Sequence, residues 1–437
     1  MSLSDEILPL VRTRTDLHRW RAANEYGAQL HDAVALLRDA AENEPPAEVL
    51  SVTQKAIASA CKVIMRADDS SGIIGNAIRD LLDLHAQLAR TVRPPFRKLV
   101  DWMIRFQFHN ECDFFEIDPV AYGPALGELG MAAYRAKLTE VLAGLNPQLT
   151  AEQEQAVFLG RLSDRVRWER IGADRHTRFV LEWNGRRLAV WDRDVEAIIA
   201  THSRDRKVAA WFQDTAEALA EIGEFDLAID WARQATFFGP GHQSVKAAGY
   251  WCALVAAHRP DEELATRLEV FHRWPMSIHA DALLKLLGSA WPEVRDEVMD
   301  ALESSPREAV RFALHSLGEV SIAWELAHSL DLGDAGLWES LAEQYELVEP
   351  LAVLPIYADR VRGDLEHADA SSYRAAARRL AHMRTLAAGT PEAKEVDRFI
   401  AELRETYRRR PRLQQEFDRA GLLQQYRLRL VPPLTES

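Results

Sequence analysis

Three groups of side chains combine residue types that bind metal ions. Segment 109–113 holds His, Glu, Cys and Asp, segment 68–72 reads DDSSG, and His272, His279 and Asp281 lie near one another in the sequence. The first segment has one thiol and one imidazole, short of the four ligands of a structural zinc. The second lacks the ligand spacing of a calcium loop, and the two histidines are about two helical turns apart. We interpret all three as turns or caps between helices and expect no metal and no cofactor.

The motifs of common enzyme classes are absent from the sequence. There is no Gly-rich phosphate loop, no GxSxG elbow and no HExxH helix. Cys61, Cys112 and Cys252 are too widely spaced for a disulfide framework or a zinc finger. The sequence therefore predicts a protein that is not an enzyme, and a hydrolase or transferase with its site in a cleft between repeats is a second alternative.

Two segments carry local positive charge in a chain whose formal net charge is -14. Segments 161–187 and 374–412 are rich in arginine, and the first also contains tryptophan. Arginine beside aromatic rings suits nucleic-acid phosphates with base stacking, and it equally suits an acidic protein surface. A charged hairpin edge and the polar cap of a last repeat are the structural alternatives. The candidate binding residues are Arg165, Arg167, Trp168, Arg170, Arg178, Trp183, Arg186, Arg187, Arg374, Arg378, Arg404, Arg408 and Arg409.

Composition indicates the kind of elements that must position these residues. The chain has 437 residues, of which 47% are hydrophobic and 27% charged, as in a folded globular protein. It has only 21 glycines and 19 prolines, so turns are few and long helices are favoured over a many-stranded sheet. No apolar run is long enough for a signal peptide or a membrane span, and we expect a cytoplasmic protein without a membrane partner.

One segment departs from this helical pattern. In RFVLEWNGRRLAVW, apolar residues alternate on both sides of Asn184-Gly185, which is the strongest short-range signal for a β-hairpin. We predict a β-hairpin within residues 165–191, with an earlier strand over 166–171.

The segment GEFDLAIDWARQATFFGP has the features of a tetratricopeptide repeat. Gly223 fits the turn, Phe225 the aromatic position, Ala228 and Ala235 the small packing positions, and Pro240 the terminal proline. The small residues allow two antiparallel helices to approach closely. Further prolines follow after 35 and 31 residues, close to the repeat period of about 34. We therefore predict degenerate repeats as far as about residue 421.

A family resemblance rests on longer stretches of the chain. The matching stretches are RADDSSGIIGNAIRDLLDLHAQLA, DFFEIDPVAYGPALGELGMAAYR, DVEAIIATHSRD, AEALAEIGEFDLAIDWARQA, LLKLLGSAWPEVRDEVMDAL, SYRAAARRLAHMR and RRRPRLQQEFDRAGL. Through them the chain resembles the helical region of bacterial SWIM zinc-finger family proteins and their relatives of unknown function that lack the finger. The finger needs Cys-x-Cys followed by Cys-x-His, and this sequence has neither. The resemblance therefore implies the helical scaffold and not the binding ascribed to the finger.

These observations predict an all-α solenoid of tetratricopeptide-like helix pairs with one β-hairpin near its middle. The predicted parts are an N-terminal helical domain (1–160), the Arg/Trp-rich hairpin segment (161–193), the repeats (194–421) and a C-terminal tail (422–437). The first functional hypothesis is a scaffold that binds a protein partner on its concave surface. The alternative is an accessory factor in nucleic-acid defence or repair that contacts phosphates through the two arginine segments.

Overall fold

The computed structural model describes residues 2–109, 112, 115–146, 152, 155, 159, 165–239 and 241–422, with backbone alone for 165–173. Most of the described chain is helical and none of it forms a strand; one isolated bridge joins Leu17 to Ala67. The predicted all-α class is confirmed. The chain divides into two compact units, Met1–Leu254 and Val255–Ser437. The predicted domain boundaries remain predictions, and the tail beyond residue 422 lies outside the described residues.

The first unit is built from helices that pack on their neighbours in the sequence or on the next helix but one. They are α1 (Leu3–Val11), α2 (Trp20–Asn43), α3 (Pro46–Ile64), α4 (Ile73–Val92), α5 (Phe96–Phe108), α6 (Pro119–Ala143), α7 (Arg165–Asp192), α8 (Val195–His202), α9 (Ala209–Glu221), α10 (Phe225–Ala235) and most of α11 (His242–His258). One continuous core runs from α1 into α7, with Leu30, Ile57, Ile78 and Tyr134 fully enclosed.

The second unit begins in the last turn of α11 and consists of shorter helices. Its α-helices are α12 (Glu263–Arg273), α13 (Ser277–Leu287), α14 (Arg295–Leu302), α15 (Pro306–Arg311), α16 (Val320–Ser329), α17 (Ala335–Tyr345), α18 (Leu354–Glu366), α19 (Ala370–Leu386), α20 (Ala393–Thr406) and α21 (Pro411–Arg419). Short 3₁₀ segments precede α12 and α14, and a π-helical turn, Phe312–Leu317, follows α15. Two buried apolar clusters, one over α12–α17 and one over α17–α21, form its core.

Local sequence explains where several helices begin. Asp118, Asp194, Asp334 and Asp369 precede α6, α8, α17 and α19, and each carboxylate accepts a hydrogen bond from a backbone N–H of the first turn. An aspartate in this position satisfies a donor that the helix leaves unpaired and favours the positive end of its dipole. These caps fix the starts of the helices that carry the polar residues discussed below.

The helix pair α9–α10 carries the repeat-packing residues. Gly223 lies in the turn between the two helices with φ +86°, a conformation that favours glycine. Ala228 and Ala235 are fully buried, and Phe225 is 37% exposed. Pro240 lies outside the described residues. The two small residues lie on the buried face of α10, as the prediction of close helix packing requires.

The predicted β-hairpin is wrong, because residues 165–192 form the single helix α7. The predicted earlier strand over 166–171 lies in the same helix. Val180, Asn184 and Leu188 follow one another at intervals of four and are all buried, so the apparent alternation also fits a helical period. Asn184 donates from Nδ2 to the carbonyl of Val180, at 2.8 Å, one turn earlier. A side chain that bonds back along the helix removes the reason for a turn at this position.

Asn184 also belongs to a closed network of buried amide and hydroxyl groups. Its Oδ1 accepts from Tyr134 Oη (2.6 Å), and its Nδ2 donates to Gln107 Oε1 (3.0 Å). Gln107 Nε2 in turn donates to Tyr134 Oη (2.7 Å). All three residues are buried and come from α5, α6 and α7. This network positions α7 against the core and thereby fixes where its arginines lie.

Candidate functional site

The described arginines of the first predicted segment do not share one surface, because each of them contacts different groups. Arg165, Arg167, Trp168 and Arg170 lie in α7, but their side chains are outside the description. Arg178 donates to the carbonyl of Asn146, beyond the end of α6. Its guanidinium therefore links the end of α6 to α7.

Arg187 joins three helices of the first unit. Its guanidinium donates to both carboxylate oxygens of Asp118, at 2.9 and 2.8 Å, and to both of Glu221, at 2.7 Å each. The Arg187 side chain is only 12% exposed, and bidentate pairs of this kind are the strongest that arginine makes. These ion pairs connect the start of α6, the C-terminal part of α7 and the end of α9, which indicates a structural role for Arg187.

Arg186, the residue before Arg187, has a different environment. It is only 8% exposed, and its guanidinium lies over the ring of Trp183, 5.7 Å from the centroid. Trp183 itself donates from Nε1 to the carbonyl of Ile117 at 3.4 Å, which holds the ring in place. Burial, and then the positive charge of Arg204, lowers the pKa of Arg186.

Further polar side chains of the first unit lie near Arg186, near Asp214 or near Glu217. We call the set the Arg186 cluster: Trp183 and Arg186 on α7, Arg204 after α8, Asp214 and Glu217 on α9, and Lys246 and Tyr250 on α11. Arg204 lies over Trp211, 5.2 Å from the ring centroid. Within the described part of the chain, no hydrogen bond or ion pair joins two members of this cluster.

The electrostatics of the cluster reflect this lack of direct pairing. Burial raises the pKa of Asp214, and Glu217 acts in the same direction, whereas the cations of the cluster oppose the shift. Burial together with Glu217 raises the pKa of Tyr250 to about 12. A carboxylate in a salt bridge normally has a lowered pKa, so Asp214 has the shift of a group without a contacting cation.

The second predicted arginine segment lies in the second unit. The Arg404 guanidinium is occupied within the second unit, since it donates to the carbonyl of Leu422 (2.8 Å) and to Asp418 (2.6 Å). Arg408 pairs with Glu405 one turn earlier, and Arg409 is exposed beside it.

Arg374 and Arg378 lie one turn apart on the exposed face of α19, as their spacing predicts. They line a shallow groove between α19 and α21 together with Ser371, Glu416 and Arg419. Arg419 is paired with Glu416 at 2.8 Å.

Of the three residues of segment 272–281 considered as metal ligands, His272 and Asp281 are paired with other side chains, whereas His279 Nε2 is buried without a hydrogen-bond partner in the part of the chain that the structure describes. His272 Nε2 lies 3.0 Å from Glu297, and Lys285 donates to Asp281 at 2.5 Å. Among the described residues, no group of three or more histidine, cysteine, aspartate or glutamate side chains is arranged to hold a metal ion. Glu111 and Asp113 lie outside the described residues.

The structure also shows a polar triad that the sequence did not reveal. Glu346 Oε2 accepts from Tyr357 Oη (2.7 Å) and from His382 Nε2 (2.8 Å). Although burial opposes the shift, these hydrogen bonds lower the pKa of Glu346. The triad joins α17, α18 and α19, and its groups satisfy one another.

The described residues therefore form an all-α protein, and the charged side chains of its Arg186 cluster form no ion pairs with one another. The chain belongs to a family of unknown function, DUF6880, whose sequence profile matches residues 7–413. No curated protein and no solved structure matches the chain. No helix among the described residues is long and apolar enough to cross a membrane.

Proposed function

We propose that this protein is a helical-repeat scaffold that binds an extended segment of a partner protein through the Arg186 cluster and catalyses no reaction. On this proposal, the helices from α8 onward are degenerate tetratricopeptide-like repeats of the kind found beside SWIM zinc fingers. The pair α9–α10, with its glycine turn and buried alanines, supports that interpretation. Repeats of this kind present concave surfaces that bind extended chains.

The observation that carries the proposal is the set of charges around Arg186 that form no ion pair with one another, although Glu217 accepts a hydrogen bond from Gln213. The members of the cluster come from three helices and one turn, and the groups of opposite sign do not contact one another. Charges arranged in this way remain available for a partner, and complementary charges give an interface its specificity and rate of association. Arg187, by contrast, is occupied by Asp118 and Glu221.

Photocrosslinking in native cells tests this proposal. A photoreactive amino acid replaces exposed Asp205, next to Arg204 but outside the cluster, in the full chain, and we expect it to capture one defined protein. Arg186→Ala combined with Arg204→Ala is expected to reduce the crosslinked product at least tenfold, about 1.4 kcal/mol of binding energy. Arg175→Ala, which removes an exposed arginine from the same helix, is the matched control and should leave the product unchanged. Absence of a captured protein, or equal capture by all variants, would contradict the proposal.

A second candidate function rests on the groove between α19 and α21. Its three arginines supply local positive charge, although Glu416 lies among them, and guanidinium groups bind phosphates well. If this groove binds nucleic acid, association must weaken steeply as salt increases, because each neutralised phosphate releases counterions.

Mobility-shift titrations with single- and double-stranded DNA and RNA at several salt concentrations test this second function. Arg374→Ala with Arg378→Ala should lower the slope of log K against log salt by about 1.4–1.8, the contribution of two phosphate contacts. Arg307→Ala, at an exposed arginine elsewhere in the second unit, should leave the slope unchanged. If no nucleic acid shows a salt-sensitive shift, this function is excluded.

A further inference from the structure

Arg186 is a buried cation that forms no hydrogen bond or ion pair with any described carboxylate, although Asp214, Glu182 and Glu116 act on it at longer range. Its residue is 92% removed from solvent by the packing of α7, and it donates no hydrogen bond to any described residue. No nitrogen of Arg186 is among the completely enclosed, unpartnered polar atoms of the described residues, so its guanidinium retains some access to solvent. An incoming group can therefore reach it.

Burying an unpaired guanidinium is costly. Removing a charge from water costs several kcal/mol unless an opposite charge or hydrogen bonds replace the lost solvation. The ring of Trp183 compensates for part of this, because a cation over an aromatic face gains about 0.5–2 kcal/mol. Asp214, Glu182 and Glu116 offset a further part from a distance. An anion in direct contact would recover more of the cost, which makes Arg186 the centre of the proposed recognition site.

The charges around Arg186 restrict which anion fits. Arg204 and Lys246 add positive charge, but Asp214 lies among these cations and Glu217 is near Asp214. Glu182 and Glu116 also lie close enough to Arg186 for their negative charges to act on its guanidinium. A phosphate dianion or a run of acidic residues would be repelled by these carboxylates. A single carboxylate beside a positive group complements both signs.

We infer that the Arg186 cluster binds a mixed-charge peptide segment, in which Arg186 with Arg204 and Lys246 holds a carboxylate and Asp214 holds a neighbouring basic side chain. This inference rests on the proposed function, since it specifies what the partner segment must contain. The bond at Arg186 is charge-assisted and forms away from bulk water, where such bonds are strong. The raised pKa of Asp214 falls when a cation contacts it, so binding also favours the ionised form of Asp214.

Calorimetric titration of the full-length protein with short synthetic peptides tests the inference. The probe is an acetylated, amidated Gly/Ser octapeptide with one Glu and one Lys two positions apart. Matched peptides replace Glu by Gln, replace Lys by Gln, or carry two Glu. We expect the Glu/Lys probe to bind at least tenfold more tightly than each of the three. Inorganic phosphate at the same ionic strength should not displace it.

Protein variants assign the two contacts. Arg186→Ala should weaken the Glu/Lys probe at least tenfold, and Arg175→Ala should not change its affinity. Asp214→Asn should weaken the Glu/Lys probe but leave the peptide without Lys unaffected, the non-additivity expected of a direct contact. If Arg186→Ala does not fold, Arg204→Ala and Lys246→Ala replace it, since both side chains are exposed.

Three results would overturn the inference: no binding of the Glu/Lys probe, equal binding of the peptide with Gln in place of Glu, or displacement of the Glu/Lys probe by inorganic phosphate at the same ionic strength. The two proposals fail separately. If the peptide binds but no cellular protein is crosslinked, the mixed-charge site is supported and the scaffold function is contradicted. A crosslinked protein that is lost in the Arg186 variant, with no binding of the Glu/Lys probe, would leave the scaffold function and remove the mixed-charge ligand.

Discussion

Lowering the pH from 7.5 to 4.5 is expected to reduce the free energy of unfolding by about 5 kcal/mol through two buried histidines of the first unit. His85 stacks on Trp102, with ring centroids 4.1 Å apart, and its Nδ1 is hydrogen-bonded to Tyr122 Oη at 2.9 Å. Burial lowers the pKa of His85 to about 4. Burial, reinforced by neighbouring arginines, also lowers the pKa of His202 to about 4.

The direction follows from proton uptake in the two states. In the unfolded chain each histidine binds a proton below about pH 6.5, whereas in the folded chain it stays neutral until about pH 4. The unfolded state therefore binds more protons between these values, and stability falls as the pH falls. At pH 4.5 each histidine lowers the free energy of unfolding by about 2.5 kcal/mol relative to pH 7.5. This loss is a large share of a typical domain stability of 5–15 kcal/mol.

Denaturant unfolding of the full chain between pH 7.5 and 4.5 measures this dependence. His85→Phe keeps the stacking surface and removes the titration, and we expect about half of the pH-dependent loss to disappear. His202→Gln should remove a similar share, since the amide can still donate to the carbonyl of Ile198 as Nδ1 does at 3.0 Å. His242→Gln, at an exposed position of α11, is the control. A pH dependence identical in all variants would show that carboxylates and not these histidines cause the acid destabilisation.

The helical class was predictable because it depends on local properties of the sequence. Scarce glycine and proline, aspartates ahead of apolar periods, and Gly223 between two amphipathic runs each act within one or two turns of chain. The same local reasoning was wrong for α7. Asn-Gly favours a turn in isolation, and only contacts to Gln107 and Tyr134, distant in sequence, show why Asn184 is in a helix.

The candidate site was predictable in part for a similar reason. Arg186 belonged to the predicted surface because arginines are dense in its segment, but nothing in the sequence separates it from Arg187. The acids that occupy Arg187 are 69 and 34 residues away. Asp214 lies on α9, which packs on α7, and Lys246 on α11 comes near Asp214 only in the folded chain. A single sequence contains no signal for such contacts between residues that are far apart along the chain.

The second large effect concerns the buried network around Asn184. Asn184→Ala is expected to reduce the free energy of unfolding by about 3 kcal/mol, because it leaves Tyr134 Oη without its acceptor and Gln107 Oε1 without its donor. Buried polar groups without partners cost about 1–3 kcal/mol each. Denaturant unfolding at pH 7.5, away from the histidine titrations, measures the change.

A double-mutant cycle separates the network from simple loss of volume. Tyr134→Phe removes the hydroxyl that Asn184 accepts from and that Gln107 donates to. If the groups act as one network, the double variant should be more stable than the sum of the two single losses predicts, by 0.5 kcal/mol or more. Additive losses would show that Asn184 and Tyr134 contribute independently.

The neighbouring glycine provides a control that distinguishes a helix from a turn. An added Cβ at Gly185 meets no atom within 4 Å, and the residue lies inside α7. Gly185→Ala should therefore raise the free energy of unfolding by about 0.5–1 kcal/mol, the gain of alanine over glycine in a helix interior. In an Asn-Gly hairpin turn, where the glycine has positive φ, the same change would be destabilising. The sign of this one substitution therefore decides between the helix that the structure shows and the hairpin that the sequence suggests.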